Sequence, residues 1–137
     1  MKIEVEDLIG IDLDAAVAMA EGYDIEAGAP ILNVHIGTHG TLTLEDYHPS
    51  TVWEQGGPII EREGILLRPV RSRGHLMDGT WLAMYDDANI GEFVHWAYGE
   101  VFTRRYYSGP TPLIAAMRCY VASNLGEEAE IPEEVLK

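Results

Sequence analysis

A helix pattern lies near each end of the chain, and these two patterns constrain the fold more than any other feature of the sequence. Residues 12–21 and 112–125 each carry apolar side chains at the spacing of one helix face. Gly22 and Gly126 follow them, at the positions where a glycine ends a helix. Thr111 precedes the second pattern and is a good capping residue. Two helices are therefore predicted, one near each terminus.

The segment between the helices has only short apolar runs separated by turn residues, a pattern typical of strands. We predict strands over 31–36, 41–44, 65–68 and 80–85, a fifth over 92–96 or 100–102, and a short helix over 57–63 with Pro58 near its start. The expected fold is α+β, with a small antiparallel sheet covered by an N-terminal and a C-terminal helix. The acidic tail, residues 127–137, is expected to lie along the surface or to fray.

Length and composition bound the class of protein. The 137 residues predict a single domain spanning 1–137, and 47% apolar with 23% charged residues exclude global disorder. No apolar run is long enough to cross a membrane, and the acidic start lacks the features of a signal peptide. The single cysteine, Cys119, cannot form an internal disulfide, which fits a reducing compartment. A soluble, cytoplasmic protein is therefore expected.

The charge is distributed unevenly along the chain. The formal net charge is −14, and residues 1–61 alone hold 12 acidic residues and one basic residue. Such a charge repels a phosphate backbone, so general nucleic-acid binding is not expected. All seven arginines nevertheless lie between Arg62 and Arg118. They either form a cationic patch that selects a small anion or pair with the acidic surface.

Two segments of the chain resemble a known family. They are residues 50–63, which contain Trp53 and the Gly56-Gly57-Pro58 run, and residues 108–126. Together with the helix over 13–22, they resemble the NinX-like family of small phage proteins. The resemblance implies a phage or prophage origin and a place in the cytosol of the host bacterium. It carries over no catalytic residues, because none are established for the family.

The segment from Trp53 to Glu63 is the best candidate for a binding site. Adjacent glycines allow a close backbone approach and expose amide donors, and a helix beginning near Pro58 adds a positive dipole end. An indole face suits stacking, and arginines suit phosphate. The predicted ligand-binding residues are Trp53, Gln55, Gly56, Gly57, Glu61, Arg62 and Arg118. The alternative is a tight turn with Trp53 in the core and Glu61–Arg62 as a surface pair.

Metal binding and catalysis have weaker support. His35 and His39 have helical zinc spacing, but Gly37 and Gly40 disfavour a helix there. No nucleophile elbow or phosphate loop is present, and Cys119 lies beside an apolar helix stripe, where it is expected to be inert. We therefore expect no metal, no cofactor and no catalytic residue, and an enzyme is not favoured.

The leading hypothesis is a non-enzymatic phage accessory protein that binds a small anionic, nucleotide-like ligand. Such a protein can sequester a host immune signal. The alternative is an acidic inhibitor or adaptor that binds a host protein by imitating the charge of DNA, and a small hydrolase is a third reading. The aromatic residues between 81 and 107 are expected to form strand core, and homo-oligomerisation through them is a further prediction.

Overall fold

The structure is a computed structural model that describes residues 1–28, 31–35, 41–43, 45–71, 78–85 and 106–136. Within these residues, the elements follow in the order β1 Lys2–Glu4, α1 Gly10–Ala20, β2 Asp24–Gly28, β3 Ile31–His35, β4 Thr41–Thr43, α2 Trp53–Glu63, β5 Ile65–Pro69, β6 Trp81–Tyr85, β7 Tyr107–Gly109, α3 Pro112–Leu125, β8 Glu128–Glu130 and α4 Glu133–Leu136. A short 3-10 turn, Val5–Asp7, joins β1 to α1.

The described strands form three small antiparallel sheets. β1 pairs with β8, β2–β3–β4 form a second sheet, and β5–β6–β7 form a third. Ala83 is the central residue of the third sheet, opposite Leu67 on one side and Tyr107 on the other. The α+β class is therefore confirmed, although the strands are divided among separate sheets. Strand pairing depends on contacts between segments as well as on the pattern within each one, so the sequence pattern did not show this division.

Helix α3 lies at the centre of the core. It packs against the β5–β6–β7 sheet and against α1 and α2, and it contributes eight buried residues. Ala15 and Ala18 of α1 and Ala115 and Ala116 of α3 are fully buried. Because alanine adds little bulk beyond the backbone, these residues allow other elements to pack closely against both helices. Among the residues that the structure describes, the two helices predicted from periodicity thus supply most of the buried apolar side chains.

The predicted ends of these helices are mostly confirmed. Helix α3 spans the predicted residues, and the Thr111 hydroxyl caps it by accepting a hydrogen bond from the Ile114 amide at 3.2 Å. Gly126 and Gly22 both have positive φ, at 93° and 80°, as expected of glycines that end helices. Helix α1 begins at Gly10, two residues earlier than predicted.

The strand predictions agree with β3, β4, β5 and β6 to within a residue or two. Residues 36 and 44, and both alternatives for a fifth strand, lie outside the described residues. β1, β2, β7 and β8 were not predicted. Three of them have only three residues, too few for alternation to show.

The acidic tail was expected to lie along the surface or to fray; Glu127, Glu128 and Glu130 are exposed, but the described part of the tail is paired and partly buried and does not fray. β8 pairs with β1, and Ala129, Ile131 and Val135 are at most 5% exposed. The terminal amine of Met1 donates to the Ile131 carbonyl oxygen at 3.1 Å, which ties the two chain ends together. The prediction overlooked these apolar residues because they are isolated among the many glutamates of the tail. Within the described ranges, no helix has the length and apolarity to cross a membrane.

Candidate functional site

Helix α2 carries most of the predicted site, and it begins four residues earlier than expected. It starts at Trp53, so Gly56 and Gly57 lie inside the helix and do not form a corner before Pro58. A proline in a helix loses one hydrogen bond and crowds the preceding turn. A glycine immediately before it reduces this strain, because the clash with the proline ring partly involves a Cβ. Gly64, with φ at 68°, then ends the helix.

Gly56 is sealed in the interior. A Cβ at this position would lie 2.2 Å from the Pro49 carbonyl oxygen and 2.7 Å from Leu113 Cδ2. The Gly56 amide donates to the Val52 carbonyl oxygen at 2.9 Å, so it is already used within the chain. The predicted role of Gly56 as an amide donor to a ligand is therefore not supported. The glycine is required because α2 packs directly against another backbone segment.

Gln55 fastens α2 to the preceding loop. Its side-chain oxygen accepts a hydrogen bond from the His48 amide, and its side-chain nitrogen donates to the Asp46 carbonyl oxygen at 2.9 Å. Both polar ends of the side chain thus contact backbone groups of the loop that leads into Trp53. In this structure Gln55 positions that loop.

Arg62 is held in an ion-pair network between helices. Its guanidinium donates to both carboxylate oxygens of Glu21, to Glu63 and to the Tyr120 hydroxyl. The Glu21 side chain is only 8% exposed and also accepts hydrogen bonds from Tyr23 and Tyr120. Burial raises the pKa of Glu21, but the hydrogen bonds from Arg62 and Tyr120 outweigh it, so the pKa lies below its usual range. Glu61, on the same helix, is exposed.

The Glu21 network makes a prediction about acid stability. A carboxyl whose pKa is lowered by folding stabilises the protein above its ordinary pKa of 4.5, and this contribution is lost as pH falls through the lowered value. We expect Glu21→Gln to flatten the dependence of the free energy of unfolding on pH below about 4.5. Urea unfolding followed from pH 3 to 7 measures this slope. An unchanged slope would show that Arg62 does not act on Glu21 in the folded state.

Arg118 belongs to a different part of the molecule. Its Nε donates to the Leu8 carbonyl oxygen at 2.9 Å and its Nη1 to the Ser108 carbonyl oxygen at 2.8 Å. Tyr120, which contacts Arg62, is two residues along α3 from Arg118, about 200° around the helix. The two arginines therefore lie on different sides of α3. The structure does not bring them together as the sequence hypothesis required.

Trp53 is exposed and lies beside a cleft. Its residue exposure is 54%, which excludes the alternative reading of Trp53 as a core residue. The cleft has a volume of about 180 Å³, and we call it the Trp53 cleft; it is lined by Ser50, Thr51, Trp53, Thr111, Pro112 and Leu113. The first turns of α2 and α3 both contribute to it. The amino ends of two helices therefore meet at one exposed indole.

The two segments that carry the family resemblance form this cleft together. Ser50, Thr51 and Trp53 come from the first segment, and residues 111–113 come from the second. They also contact each other at Gly56, which faces Leu113. Gly57 lies nearer the surface, where an added Cβ would meet Trp53 Cε3 at 3.9 Å. Of the predicted set, only Trp53 lines the cleft.

A buried carboxylate beneath the loop was missed by sequence reasoning. Asp14 is 1% exposed, and its oxygens accept from the Ser50 amide at 2.9 Å and contact His48 Nδ1 at 3.2 Å. The other ring nitrogen of His48 contacts the Glu45 carbonyl oxygen. Burial raises the pKa of Asp14, and the hydrogen bonds from Ser50 and His48 only partly offset this. The sequence signal that could have identified it is an acidic residue within the alanine-rich, apolar stretch of α1.

Cys119 is buried, as predicted. Burial raises the pKa of its thiol to about 12, so the reactive thiolate is scarce at neutral pH. The residues proposed for self-association, between 81 and 107, lie largely outside the described ranges. Self-association therefore stays a prediction.

The described residues thus form a small α+β protein with a cleft between the amino ends of two helices. The family model described as Bacteriophage P22, NinX matches residues 4–124, so the chain belongs to this phage family. The resemblance found in the sequence is confirmed. No curated protein matches the chain.

Proposed function

We propose that this protein is a non-enzymatic phage accessory protein that binds a small anionic, nucleotide-like ligand at the Trp53 cleft. The observation that carries the proposal is the exposed indole beside a cavity at the amino ends of α2 and α3. Tryptophan is enriched at binding interfaces, where its flat ring supplies a large contact area. Acting in the cytosol of the infected bacterium, the protein would sequester a host immune signal.

The size of the cleft limits how such a ligand binds. A volume of about 180 Å³ lies below the roughly 300–1,000 Å³ of pockets that enclose drug-sized ligands, so the cleft fits a phosphate or a sugar but not a whole nucleotide. A base would therefore stack on Trp53 outside the cavity while the anionic group enters it. This arrangement needs fewer residues than the set predicted from the sequence.

The charge that receives the anion comes from the helix ends in this proposal. The amino end of a helix carries a partial positive charge, and two such ends meet at the cleft. The Thr111 hydroxyl accepts from the Ile114 amide, so its own proton can be donated to an anion. Arg62 and Arg118 are not part of this site, because both already bind groups of the same chain.

Trp53→Ala is expected to weaken nucleotide binding by roughly 5- to 150-fold, because it removes the stacking surface, worth about 1–3 kcal/mol. Trp53→Phe should retain a measurable part of the affinity. Calorimetry with a panel of cyclic and linear nucleotide second messengers tests both variants. Leu66→Ala, at a residue 43% exposed on β5, is the matched control and should bind like the wild type. Absence of heat with every nucleotide would rule out this function.

A second candidate function is supported by crowded carboxylates at the β1–β8 sheet. Glu4 lies opposite Glu128, and a hydrogen bond with Glu128, followed by smaller effects that include the charges of Glu6 and Glu127, raises the pKa of Glu4. We call these four residues the acidic edge. We propose, as the alternative, that this edge binds a basic surface of a host protein, as an inhibitor or adaptor that imitates the charge of DNA.

Binding through the acidic edge should depend strongly on salt. Capture of a host protein by the immobilised chain should fall steeply between about 50 and 300 mM salt, because exposed charges are screened within roughly 10 Å. The double variant Glu4→Gln/Glu128→Gln should reduce capture, whereas Glu45→Gln/Glu54→Gln, at exposed sites elsewhere, should not. Capture that is insensitive to salt would argue against this function.

A further inference from the structure

We propose that a second cleft, at the carboxyl end of α3, binds an arginine side chain presented by a basic partner protein. The cleft, called here the tyrosine cleft, has a volume of about 180 Å³, and its lining includes Tyr85, Tyr107, Cys119, Ser123, Gly126 and Glu127. The proposal rests on the acidic-edge function above and names the group that would enter this site. A guanidinium and part of its methylene stem fit such a volume.

The hydrogen bonds inside the cleft leave an acceptor for a cation. The Ser123 hydroxyl donates to the Tyr120 carbonyl oxygen at 2.7 Å, so in its 2.8 Å contact with the Tyr85 hydroxyl it is the acceptor. The Tyr85 hydroxyl is therefore the donor, and its oxygen retains lone pairs that can accept from a guanidinium. Burial raises the pKa of Tyr85 to about 12, which keeps the phenol neutral at physiological pH.

The electrostatic field at the cleft favours a cation. Helix α3 ends here, and a helix carboxyl end carries a partial negative charge. The last turn of α3 holds no basic residue that would neutralise this charge. Glu127, at the rim, is exposed. The charge of Arg62 also acts on Tyr85, but its guanidinium is bound to Glu21 and Glu63.

The cleft continues into the acidic edge. The Val5 amide donates to the Glu127 carbonyl oxygen at 2.8 Å, which places this glutamate next to β1. The charge of Glu127 also acts on Glu4. A basic surface that covers the acidic edge would therefore bring its side chains within reach of the tyrosine cleft. The edge would supply long-range attraction, and the cleft would supply the specific contact.

The chemistry of the lining favours arginine over lysine or a metal ion. A guanidinium is weakly hydrated, packs well against aromatic rings and donates in several directions at once. A divalent metal would need several carboxylate or imidazole ligands, and within the described residues no group of three or more metal-binding side chains is found. Tyrosine rings with one carboxylate at the rim therefore suit an arginine side chain best.

The test is an NMR titration of the full chain with N-acetyl-arginine amide. The matched probe is N-acetyl-citrulline amide, which has nearly the same shape but no charge. We expect the amide signals of Ser123, Gly126 and Glu127 to shift with the arginine probe and not with the citrulline probe. Equal shifts with both probes, or arginine shifts confined to other regions, would overturn the proposal.

Variants then assign the effect to the cleft. Glu127→Gln, at an exposed residue that should not disturb folding, is expected to weaken arginine binding about two- to five-fold. Tyr85→Phe should also weaken it, because the ring remains and the acceptor oxygen is lost. Glu61→Gln, at another exposed glutamate, should leave it unchanged. An affinity unchanged in Glu127→Gln would contradict the proposed site.

The outcomes for the cleft and for the acidic edge are distinguishable. Salt-dependent capture of a host protein that is lost in Glu4→Gln/Glu128→Gln, with no arginine-specific shift at the cleft, would overturn the cleft alone. Arginine-specific shifts at the cleft, with capture that salt and the edge variants do not affect, would support the cleft and overturn the acidic-edge function.

Discussion

Gly56→Ala is expected to destabilise the protein by about 2–3 kcal/mol, the upper part of the range for overpacked sites. The new Cβ would lie 2.2 Å from the Pro49 carbonyl oxygen, a backbone atom that cannot move aside like the end of a flexible side chain. It would also overlap Leu113. The gain in helix propensity, about 1 kcal/mol, is too small to offset this clash. Urea unfolding should show a lower midpoint with an unchanged slope.

Gly57→Ala is the matched control, because it changes the neighbouring residue of the same helix. An added Cβ there would make an ordinary contact at 3.9 Å with Trp53. The helix propensity gain is opposed by the restriction that Pro58 imposes on a residue before it, so we expect a net effect within about 1 kcal/mol. Equal losses at Gly56 and Gly57 would show that α2 does not pack against Pro49 in the way described.

Asp14→Ala is expected to destabilise the protein by about 2–3 kcal/mol, because it leaves the buried Ser50 amide without its acceptor. Asp14→Asn retains an acceptor oxygen of similar shape and should cost less than about 1 kcal/mol at pH 7. The comparison, measured by urea unfolding, separates the hydrogen bond from the charge. Equal losses in both variants would mean that the loop requires the carboxylate charge itself.

The Asp14 variants should also differ with pH. Because burial raises the pKa of Asp14, the folded protein holds this proton more tightly than the unfolded chain does. The contribution of Asp14 to stability is complete below its ordinary pKa of 3.8 and is lost as pH rises through the raised value. Asparagine stays neutral throughout. The stability of Asp14→Asn relative to the wild type should therefore increase as pH rises above about 4.

How far the sequence predicted the fold depends on the length of each pattern. Helix α3 was predicted to the residue, because an apolar stripe repeated over several turns and a Thr-Pro start agree with a glycine end. The prediction for helix α2 was too short at its amino end, because proline and two glycines normally interrupt a helix. The pairing of β1 with β8 was not predicted, since these three-residue strands come from opposite ends of the chain.

The candidate site was predicted in part. Trp53 was identified from its residue type and context, and it lines the cleft. Its partners there, Ser50, Thr51 and Thr111, were not singled out as ligand-binding residues, because hydroxyl residues are common in loops and caps. Arg62 and Arg118 were included among the predicted ligand-binding residues because of their positive charge. Their binding to Glu21 and to backbone carbonyl oxygens depends on contacts between residues far apart in the chain.

The sequence by itself determined the two core helices, the α+β class and the phage family, because each depends on patterns of neighbouring residues. Only the tertiary structure decided that Gly56 allows close packing and that the Trp53 indole stays in solvent. It also decided that Arg62 and Arg118 bind groups within the same chain. These outcomes depend on which backbone and side-chain groups meet after folding. A glycine that allows close packing and one that binds a ligand are the same residue in the sequence, and only the neighbouring atoms distinguish them.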